Sequence, residues 1–187
     1  MLSNLAIMPE TLTSKAIFRG RIFDVALDMV REDDLEYLRE VVQHPGGAAA
    51  VALFDDGTVA LVRQYRHPTG RYVLELPAGR LNPDEPPEVC AARELTEEIG
   101  VRAGRIEKLA EFFTTPGFCG EKLWVYLATE LTTVGQNLED DELITVLRVP
   151  LSEALEMCRD GRIEDAKTII GLMLAADKGS GKRSGTL

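Results

Sequence analysis

The 187-residue chain lacks several features that define whole classes of proteins. Its only cysteines, Cys90, Cys119 and Cys158, are widely spaced and include no CxxC pair. This spacing argues against both a disulfide framework and a zinc site. No run approaches the roughly 20 apolar residues of a membrane span, and the N-terminal residues show no signal-peptide pattern. We therefore expect a soluble cytoplasmic protein without a membrane partner.

Positive charge is scarce as well. The 21 Lys and Arg residues are outnumbered by 31 Asp and Glu residues, which gives a net charge of −10. This balance disfavours nucleic acid as a partner. If the substrate is an anion, local basic residues or bound cations must reverse the sign of the field. Hydrophobic residues make up 45% of the chain, so a chain of this length can bury about 70% of its unfolded surface without structural metal.

The order of predicted elements indicates an α/β fold with a mixed sheet flanked by helices. Residues 11–45 read as extended segments separated by an acidic turn. Two apolar runs on either side of Asp56-Gly57 predict a β-hairpin. A helix follows, with Asp84 as its N-cap and Gly100 at its end. Further strands and two final helices complete the pattern.

The predicted helix carries an unusual concentration of acidic residues. Glu94 and Glu98 are four residues apart and share a face, while Glu97 lies beside them. Arg93 is the only basic residue within the helix. A separate stripe is suited to the core and comprises Val89, Ala92, Leu95 and Ile99.

Two interpretations of this acidic face are open from spacing alone. Most charge runs are solvated helix faces, but those usually contain several pairs of opposite charge. Here the only such pair at i,i+4 is Arg93 with Glu97, while Glu94 faces Glu98. Crowded carboxylates suit Mg²⁺, which takes oxygen ligands and is often held jointly by carboxylates and substrate phosphates.

A resemblance favours the metal site. Gly79, five residues, Glu85, seven residues and then the run from Arg93 to Val101 resemble the Nudix box at every defined position. A chance match of seven fixed residue types is on the order of 10⁻⁸ per start site. The resemblance implies a Nudix-type α/β/α sandwich with a mixed sheet and additional N-terminal antiparallel strands.

The same resemblance implies roles for individual residues. The metal ligands would be the carbonyl of Ala78 and the carboxylates of Glu94, Glu98 and Glu142, binding Mg²⁺ or alternatively Mn²⁺. Glu97 would be a further ligand or a supporting carboxylate. Arg93 would orient the glutamates by ion pairing, and Gly79 would let the loop backbone approach the metal and phosphate.

The flanking segments are similar to the ADP-ribose pyrophosphatase branch of that family. Pro116 stands sixteen residues after Gly100 within TTPGFCGE, although an ordinary Pro-Gly turn would explain the dipeptide alone. The resemblance implies Mg²⁺-dependent hydrolysis of ADP-ribose to AMP and ribose 5-phosphate. The alternatives are hydrolysis of another nucleoside diphosphate sugar or a dinucleotide, and a non-catalytic domain that senses ADP-ribose.

In this branch Arg66 is the candidate for gripping the pyrophosphate or terminal ribose, because the planar guanidinium matches phosphate oxygens. Arg63 lies on the opposite face of the strand and is expected to be a surface charge. Glu75 is a candidate substrate contact or an exposed strand residue. Glu139 or Asp140 is the candidate general base.

The N-terminal segment offers few aromatic side chains for stacking on a base, namely Phe18, Phe23 and Tyr37. Trp124 is expected to belong to the core. The predicted organisation is an N-terminal β extension for dimerisation and substrate contacts, a Nudix hydrolase domain and a disordered tail, at 1–45, 46–178 and 179–187. A homodimer is expected, because members with such an extension usually form one.

Overall fold

The computed structural model describes residues 8–138 and 143–181. The strands in chain order are β1 Glu10–Arg19, β2 Asp24–Glu32, β3 Leu35–Gln43, β4 Gly47–Ala52, β5 Thr58–Arg66, β6 Arg71–Glu75, β7 Ala78–Arg80, β8 Val101–Phe113, β9 Lys122–Thr133 and β10 Ile144–Pro150. The helices are α1 Pro87–Ile99, α2 Leu151–Arg159 and α3 Ala166–Gly181.

These elements form two compact units. The first comprises the described part of Met1–Gly46 together with Phe113–Lys122, and the second comprises Gly47–Phe112 with Leu123–Leu187. Sequence patterns gave no indication that the segment after β8 belongs with the N-terminal strands. The boundaries predicted from the sequence stay predictions.

The first unit contains the antiparallel sheet β1-β2-β3, as the sequence predicted for the N-terminal strands. The chain turns between β2 and β3 at Asp33, which has a positive φ of 53°. The loop after β8 is attached to β3 by two backbone hydrogen bonds. The amide of Val42 donates to the carbonyl of Phe118 at 2.8 Å, and the amide of Gly120 donates to the carbonyl of Val42 at 3.0 Å.

The second unit holds two sheets, with strand orders β7-β4-β9-β8 and β10-β5-β6. Strand β4 pairs parallel with β9 and antiparallel with β7, so the predicted mixed sheet is confirmed. Every residue of β4 is buried. Its sequence, GAAAVA, supplies small side chains that allow helices to approach both faces of the strand closely.

The two faces of β4 belong to two different layers. Ala48, Ala50 and Ala52 pack in one apolar cluster with α1, whereas Ala49 and Val51 pack in a second cluster with α2 and α3. This alternation is the period of two expected for a strand. The second unit is therefore an α/β/α sandwich, as predicted.

The predicted hairpin around Asp56-Gly57 is wrong, although the turn itself exists. The amide of Phe54 donates to the carbonyl of Thr58 at 2.9 Å, and a single bridge joins Leu53 to Val59. Beyond that point the chain continues into different sheets. Both edges of β4 are occupied by β7 and β9, and both edges of β5 by β10 and β6, so neither strand has a free edge for the other.

Helix α1 begins at Pro87 with Pro86 as its N-cap, so the predicted N-cap at Asp84 is wrong. Asp84 lies in the preceding turn with a φ of 60°. Proline suits the first helical position because its φ is already helical and its missing N–H would have no partner there. Gly100 ends the helix in the left-handed conformation, with a φ of 66°, as predicted.

The buried face of α1 differs from the predicted stripe. Val89 is 53% exposed, so its assignment to the core is wrong. The buried residues are instead Cys90, Ala91, Glu94, Leu95, Glu98 and Ile99. The helix packs against both β4 and β7, which covers the side that bears two glutamates.

At its C-terminus the chain forms α3, which extends to Gly181, three residues into the segment predicted as a disordered tail. The remainder of that segment, 182–187, lies outside the described residues. No helix within the described ranges is long and apolar enough to span a membrane.

Candidate active site

Two glutamates one turn apart on α1 are buried against the loop strand β7. Glu94 is 6% exposed and Glu98 is 3% exposed. The backbone amide of Ala78 donates to Oε2 of Glu98 at 2.9 Å. An ionised carboxylate is costly to bury without compensation. Glu94 and Glu98 therefore do not belong to a solvated helix face, which was one of the two interpretations left open by their spacing.

Gly79 makes the close approach of Glu94 possible. A Cβ atom built on Gly79 would lie 1.7 Å from Oε1 of Glu94, far inside any real contact. The thiol of Cys90 donates to the carbonyls of Gly79 and Arg80, at 3.6 and 3.5 Å. Burial raises the pKa of this thiol to about 12, so Cys90 holds the loop as a neutral donor.

Arg93 connects three carboxylates at the start of this face. Its Nε and Nη2 atoms donate to the two oxygens of Glu85, at 2.9 and 3.1 Å. Its Nη1 atom donates to Glu94 at 2.6 Å and to Glu97 at 2.8 Å. The hydrogen bonds to Glu85, followed by the charge of Glu94, raise the pKa of Arg93 despite partial burial. The same contact with Arg93 lowers the pKa of Glu85.

The donor chemistry of the cluster fits a hard divalent cation. Three carboxylates, those of Glu85, Glu94 and Glu97, contact the guanidinium of Arg93, and Glu98 lies one turn further along α1. Carboxylate oxygens are the donors that Mg²⁺ and Mn²⁺ prefer. Within residues 8–138 and 143–181, however, no group of three or more His, Cys, Asp or Glu side chains is arranged to hold an ion by itself. Further oxygens, from substrate or from the predicted ligand Glu142, would have to complete the coordination.

The last turn of α1 is fastened by a segment that sequence patterns did not single out. The side-chain amide of Gln136 donates to the carbonyl of Glu98 at 2.6 Å. The backbone amide of Asn137 donates to the carbonyl of Glu97 at 3.0 Å. Helix C-termini leave carbonyls without intrahelical partners, and these two bonds satisfy carbonyls of the residues that carry the site. Glu139, Asp140 and Glu142 follow directly in sequence but lie outside the described residues.

The side chains of Arg66 in β5 and Glu75 in β6 form an ion pair between neighbouring strands. The Nε and Nη2 atoms of Arg66 donate to the two oxygens of Glu75 at 2.7 and 2.8 Å. The pKa of Arg66 is raised first by its hydrogen bond to Glu75, with a smaller contribution from the negative charge of Glu98. Arg66 thus lies within electrostatic reach of one carboxylate of α1, that of Glu98. Direct contact of either residue with substrate stays a prediction.

Glu75 has a second cationic partner that sequence patterns did not reveal. The Nζ atom of Lys167, in α3, donates to Oε2 of Glu75 at 2.5 Å. Burial raises the pKa of Glu75, but the hydrogen bonds and charges of Arg66 and Lys167 outweigh burial and lower it to about 2. Lys167 occurs in an ordinary amphipathic helix pattern, so nothing local in the sequence marks it.

Arg63 lies on the opposite face of β5, as predicted from strand alternation. Its guanidinium stacks 3.8 Å from the ring centroid of Tyr72, whereas Arg66 pairs with Glu75. Trp124 packs against the apolar cluster beneath α1, which confirms its assignment to the core.

The first unit contains the predicted substrate residue Pro116 at the edge of a cavity of about 410 Å³. Phe113, Phe118 and Cys119 also line it, as does Arg39, whose guanidinium stacks 4.1 Å from the ring centroid of Tyr37. Two of the three aromatic residues available in the N-terminal segment, Phe18 and Phe23, have ring centroids 6.0 Å apart.

The fold and this geometry define a class: an α/β/α protein in which a glycine loop approaches buried glutamates on a helix. A family model described as the NUDIX domain matches residues 44–170. The chain belongs to that family.

Several relatives share most of their length with this chain. It is 38% identical over 162 residues to an ADP-ribose pyrophosphatase of Bacillus subtilis, covering 85% of this chain and 88% of that protein. It is 40% identical to an ADP-ribose pyrophosphatase of Mycobacterium tuberculosis, covering 88% and 81%. It is 36% identical to a GDP-mannose pyrophosphatase of Cronobacter sakazakii, covering 89% and 92%.

The fold has a solved counterpart. A crystal structure of an ADP compounds hydrolase superposes with a TM-score of 0.84 over 97% of this chain and 99% of that chain, at 22% sequence identity. At this identity the similarity concerns the fold alone.

Proposed function

We propose that the chain hydrolyses the pyrophosphate bond of ADP-ribose to AMP and ribose 5-phosphate, with Mg²⁺ or alternatively Mn²⁺. The observation that carries the proposal is the burial of Glu94 and Glu98 against the Ala78–Gly79 backbone. The names of the Bacillus and Mycobacterium relatives favour ADP-ribose.

In this proposal Glu94, Glu98 and the carbonyl of Ala78 hold the cation, and Glu142 adds a carboxylate from the later segment. A bound cation would neutralise phosphate charge and lower the pKa of the attacking water. Arg93 holds Glu94 and Glu97 in place through the hydrogen bonds described above. A carboxylate positioned near the water takes its proton, and we assign this role to Glu139 or Asp140.

Arg66 binds the diphosphate or terminal ribose in this proposal. Two edge nitrogens of its guanidinium are held by Glu75, while its side chain remains 40% exposed. A guanidinium fixed on one edge presents its other edge in a defined orientation to phosphate oxygens. The net charge of −10 would repel an anionic substrate. In this proposal the bound cations make the local electrostatic potential positive at the site.

Pro116 is our proposed substrate contact in the first unit. It lines a cavity together with Phe113, Phe118 and Arg39, and aromatic and guanidinium planes are suited to stacking on a nucleobase. We also propose a homodimer, because β1 to β3 expose apolar side chains that a partner would cover, including Ile17, Leu35 and Leu38.

The test is the substitution Glu98→Gln. Glutamine has the same shape and can still accept the hydrogen bond from Ala78, so the fold is expected to persist while turnover falls by about 10³-fold or more, as for loss of a principal catalytic group. Glu153→Gln, at an exposed position of α2, is the matched control. Near-normal turnover in the Glu98 variant would refute the assignment.

A panel of substrates separates the alternatives. ADP-ribose, GDP-mannose and a dinucleotide are compared by kcat/KM with Mg²⁺ and Mn²⁺. The Cronobacter relative makes GDP-mannose the second candidate. If the chain binds ADP-ribose but releases no AMP, the result would favour the alternative of a non-catalytic domain that senses ADP-ribose.

A further inference from the structure

Glu75 lies at the centre of a buried ion network that joins β5, β6 and α3. It is 3% exposed, and its two oxygens accept three hydrogen bonds from two cations, Arg66 and Lys167. The Lys167 side chain is only 12% exposed. Lys167 is therefore too deeply placed to be a surface charge, and its ammonium group is oriented toward Glu75.

The network also fixes the backbone beside Glu75. Lys167 contacts Asp165 at 3.1 Å, and Asp165 accepts hydrogen bonds from the amide and the hydroxyl of Thr168 at 3.0 and 2.5 Å. The hydroxyl oxygen of Thr168 accepts from the amide of Leu76 at 2.8 Å. The start of α3 is thus attached both to the carboxylate of Glu75 and to the adjacent peptide, which leaves this carboxylate little freedom to move.

Arg66 has a different relation to this network. Its Nε and Nη2 atoms face Glu75, whereas Nη1 makes no hydrogen bond within the described part of the chain. Its side chain is 40% exposed. One edge of the guanidinium is therefore anchored and the other is available to an anion.

Within the network of Arg66, Lys167, Glu75 and Asp165 the charges balance only because Lys167 is present. Arg66 and Lys167 carry two positive charges, and Glu75 and Asp165 carry two negative charges. Without Lys167 the group has one excess negative charge, and the carboxylate of Glu75 acts on Arg66 alone. Both effects weaken the attraction of Arg66 for phosphate, because a nearby unpaired carboxylate repels the same anion.

We propose that Lys167 is a positioning residue for substrate binding: by sharing Glu75 it keeps Arg66 oriented outward and its positive charge available to a diphosphate. Lys167 does not contact the substrate in this proposal. The identity of the substrate rests on the proposed function, but the effect of Lys167 on Arg66 does not.

The experiment compares Lys167→Met with Lys167→Arg in the full chain. For Lys167→Met we expect KM for ADP-ribose to rise about tenfold, equivalent to weakening one charge-assisted hydrogen bond to phosphate, while kcat changes little. Lys167→Arg retains the cation and restores KM. Lys178→Met is the matched control, since Lys178 lies on the same helix and pairs with the carboxylate of Glu107 at a more exposed position.

A double-mutant cycle separates positioning from a purely structural role. In an Arg66→Met background, Lys167→Met should raise KM by less than about twofold, because coupled residues are non-additive. An equal effect in both backgrounds, or a loss of kcat at constant KM, overturns the proposal. If Lys167→Met does not fold, Lys167→Gln, which keeps a hydrogen-bond donor without the charge, takes its place in the cycle.

A binding measurement keeps this inference distinct from the proposed function. The Kd for inorganic pyrophosphate is measured by calorimetry with Mg²⁺ present, because bound cations offset the net charge of −10, and the same weakening and the same cycle are expected. A wild-type chain that hydrolyses no substrate of the panel would refute the proposed function alone. Unchanged pyrophosphate binding in Lys167→Met, or no binding by the wild type, would overturn the role of Lys167.

Discussion

Replacing Gly79 by alanine tests the central geometry of the site. The added methyl carbon would lie 1.7 Å from Oε1, 2.2 Å from Cδ and 2.8 Å from Oε2 of Glu94. The carboxylate would have to move by about 1.3 Å or more to escape this overlap in a closely packed interior. Such a movement would break the 2.6 Å hydrogen bond to Arg93 and displace a proposed metal ligand.

The expected consequence is a large loss of activity in a folded protein. A displacement of about 1 Å at a reacting centre costs roughly 100-fold in rate, so kcat/KM for ADP-ribose should fall by about that factor or more. The assay is release of AMP over a range of Mg²⁺ concentrations, with urea unfolding measured in parallel.

Gly57→Ala provides the matched control for this substitution. Gly57 has a φ of 79° in the turn before β5, and an added Cβ would meet nothing within 4 Å. Alanine there should cost about 1 kcal/mol of stability through backbone strain and leave kcat/KM unchanged. Wild-type kcat/KM and an unchanged Mg²⁺ dependence in Gly79→Ala would show that the position of Glu94 does not matter to the reaction.

Two further predictions concern stability. The pKa of Glu75 is lowered from 4.5 to about 2 in the folded chain, so its stabilising contribution is complete above pH 4.5 and is lost as the pH falls toward 2. The difference in unfolding free energy between wild type and Glu75→Gln should therefore narrow over that window in an acid titration. Gln136→Ala should lower the unfolding free energy, measured by urea unfolding, by about 1 kcal/mol, because the carbonyl of Glu98 loses the hydrogen bond from Gln136. An unchanged unfolding free energy would show that this hydrogen bond does not stabilise the end of α1.

Sequence patterns predicted the part of the site that is continuous in the chain. Gly79, Glu85 and the glutamates of α1 occur within one loop and one helix, where spacing determines which side chains share a face. Lys167 is 92 residues from Glu75, and Gln136 is 38 residues from Glu98. Such contacts depend on tertiary packing, for which neither residue carries a local signal.

The errors in the predicted fold have three different physical origins. The hairpin prediction identified the turn at Asp56-Gly57 correctly. The flanking strands β4 and β5 do not pair, because both edges of each strand are occupied by other strands. The N-cap at Asp84 was predicted from the preference of aspartate for that position, whereas Pro87 determines where α1 begins. Val89 satisfied helical periodicity, yet the helix packs on β7 as well as β4 and buries charged residues that periodicity assigns to solvent.

The buried face of α1 imposes a conflict between thermal stability and the proposed reaction. Leu95 and Ile99 are core residues, and their sequence neighbours Glu94 and Glu98 are enclosed by the same packing. Apolar side chains of similar volume in place of buried charges often stabilise a protein. Selection for thermal stability alone would therefore favour apolar replacements of these two glutamates, and the most stable variants of this chain would be those that had lost the proposed cation ligands.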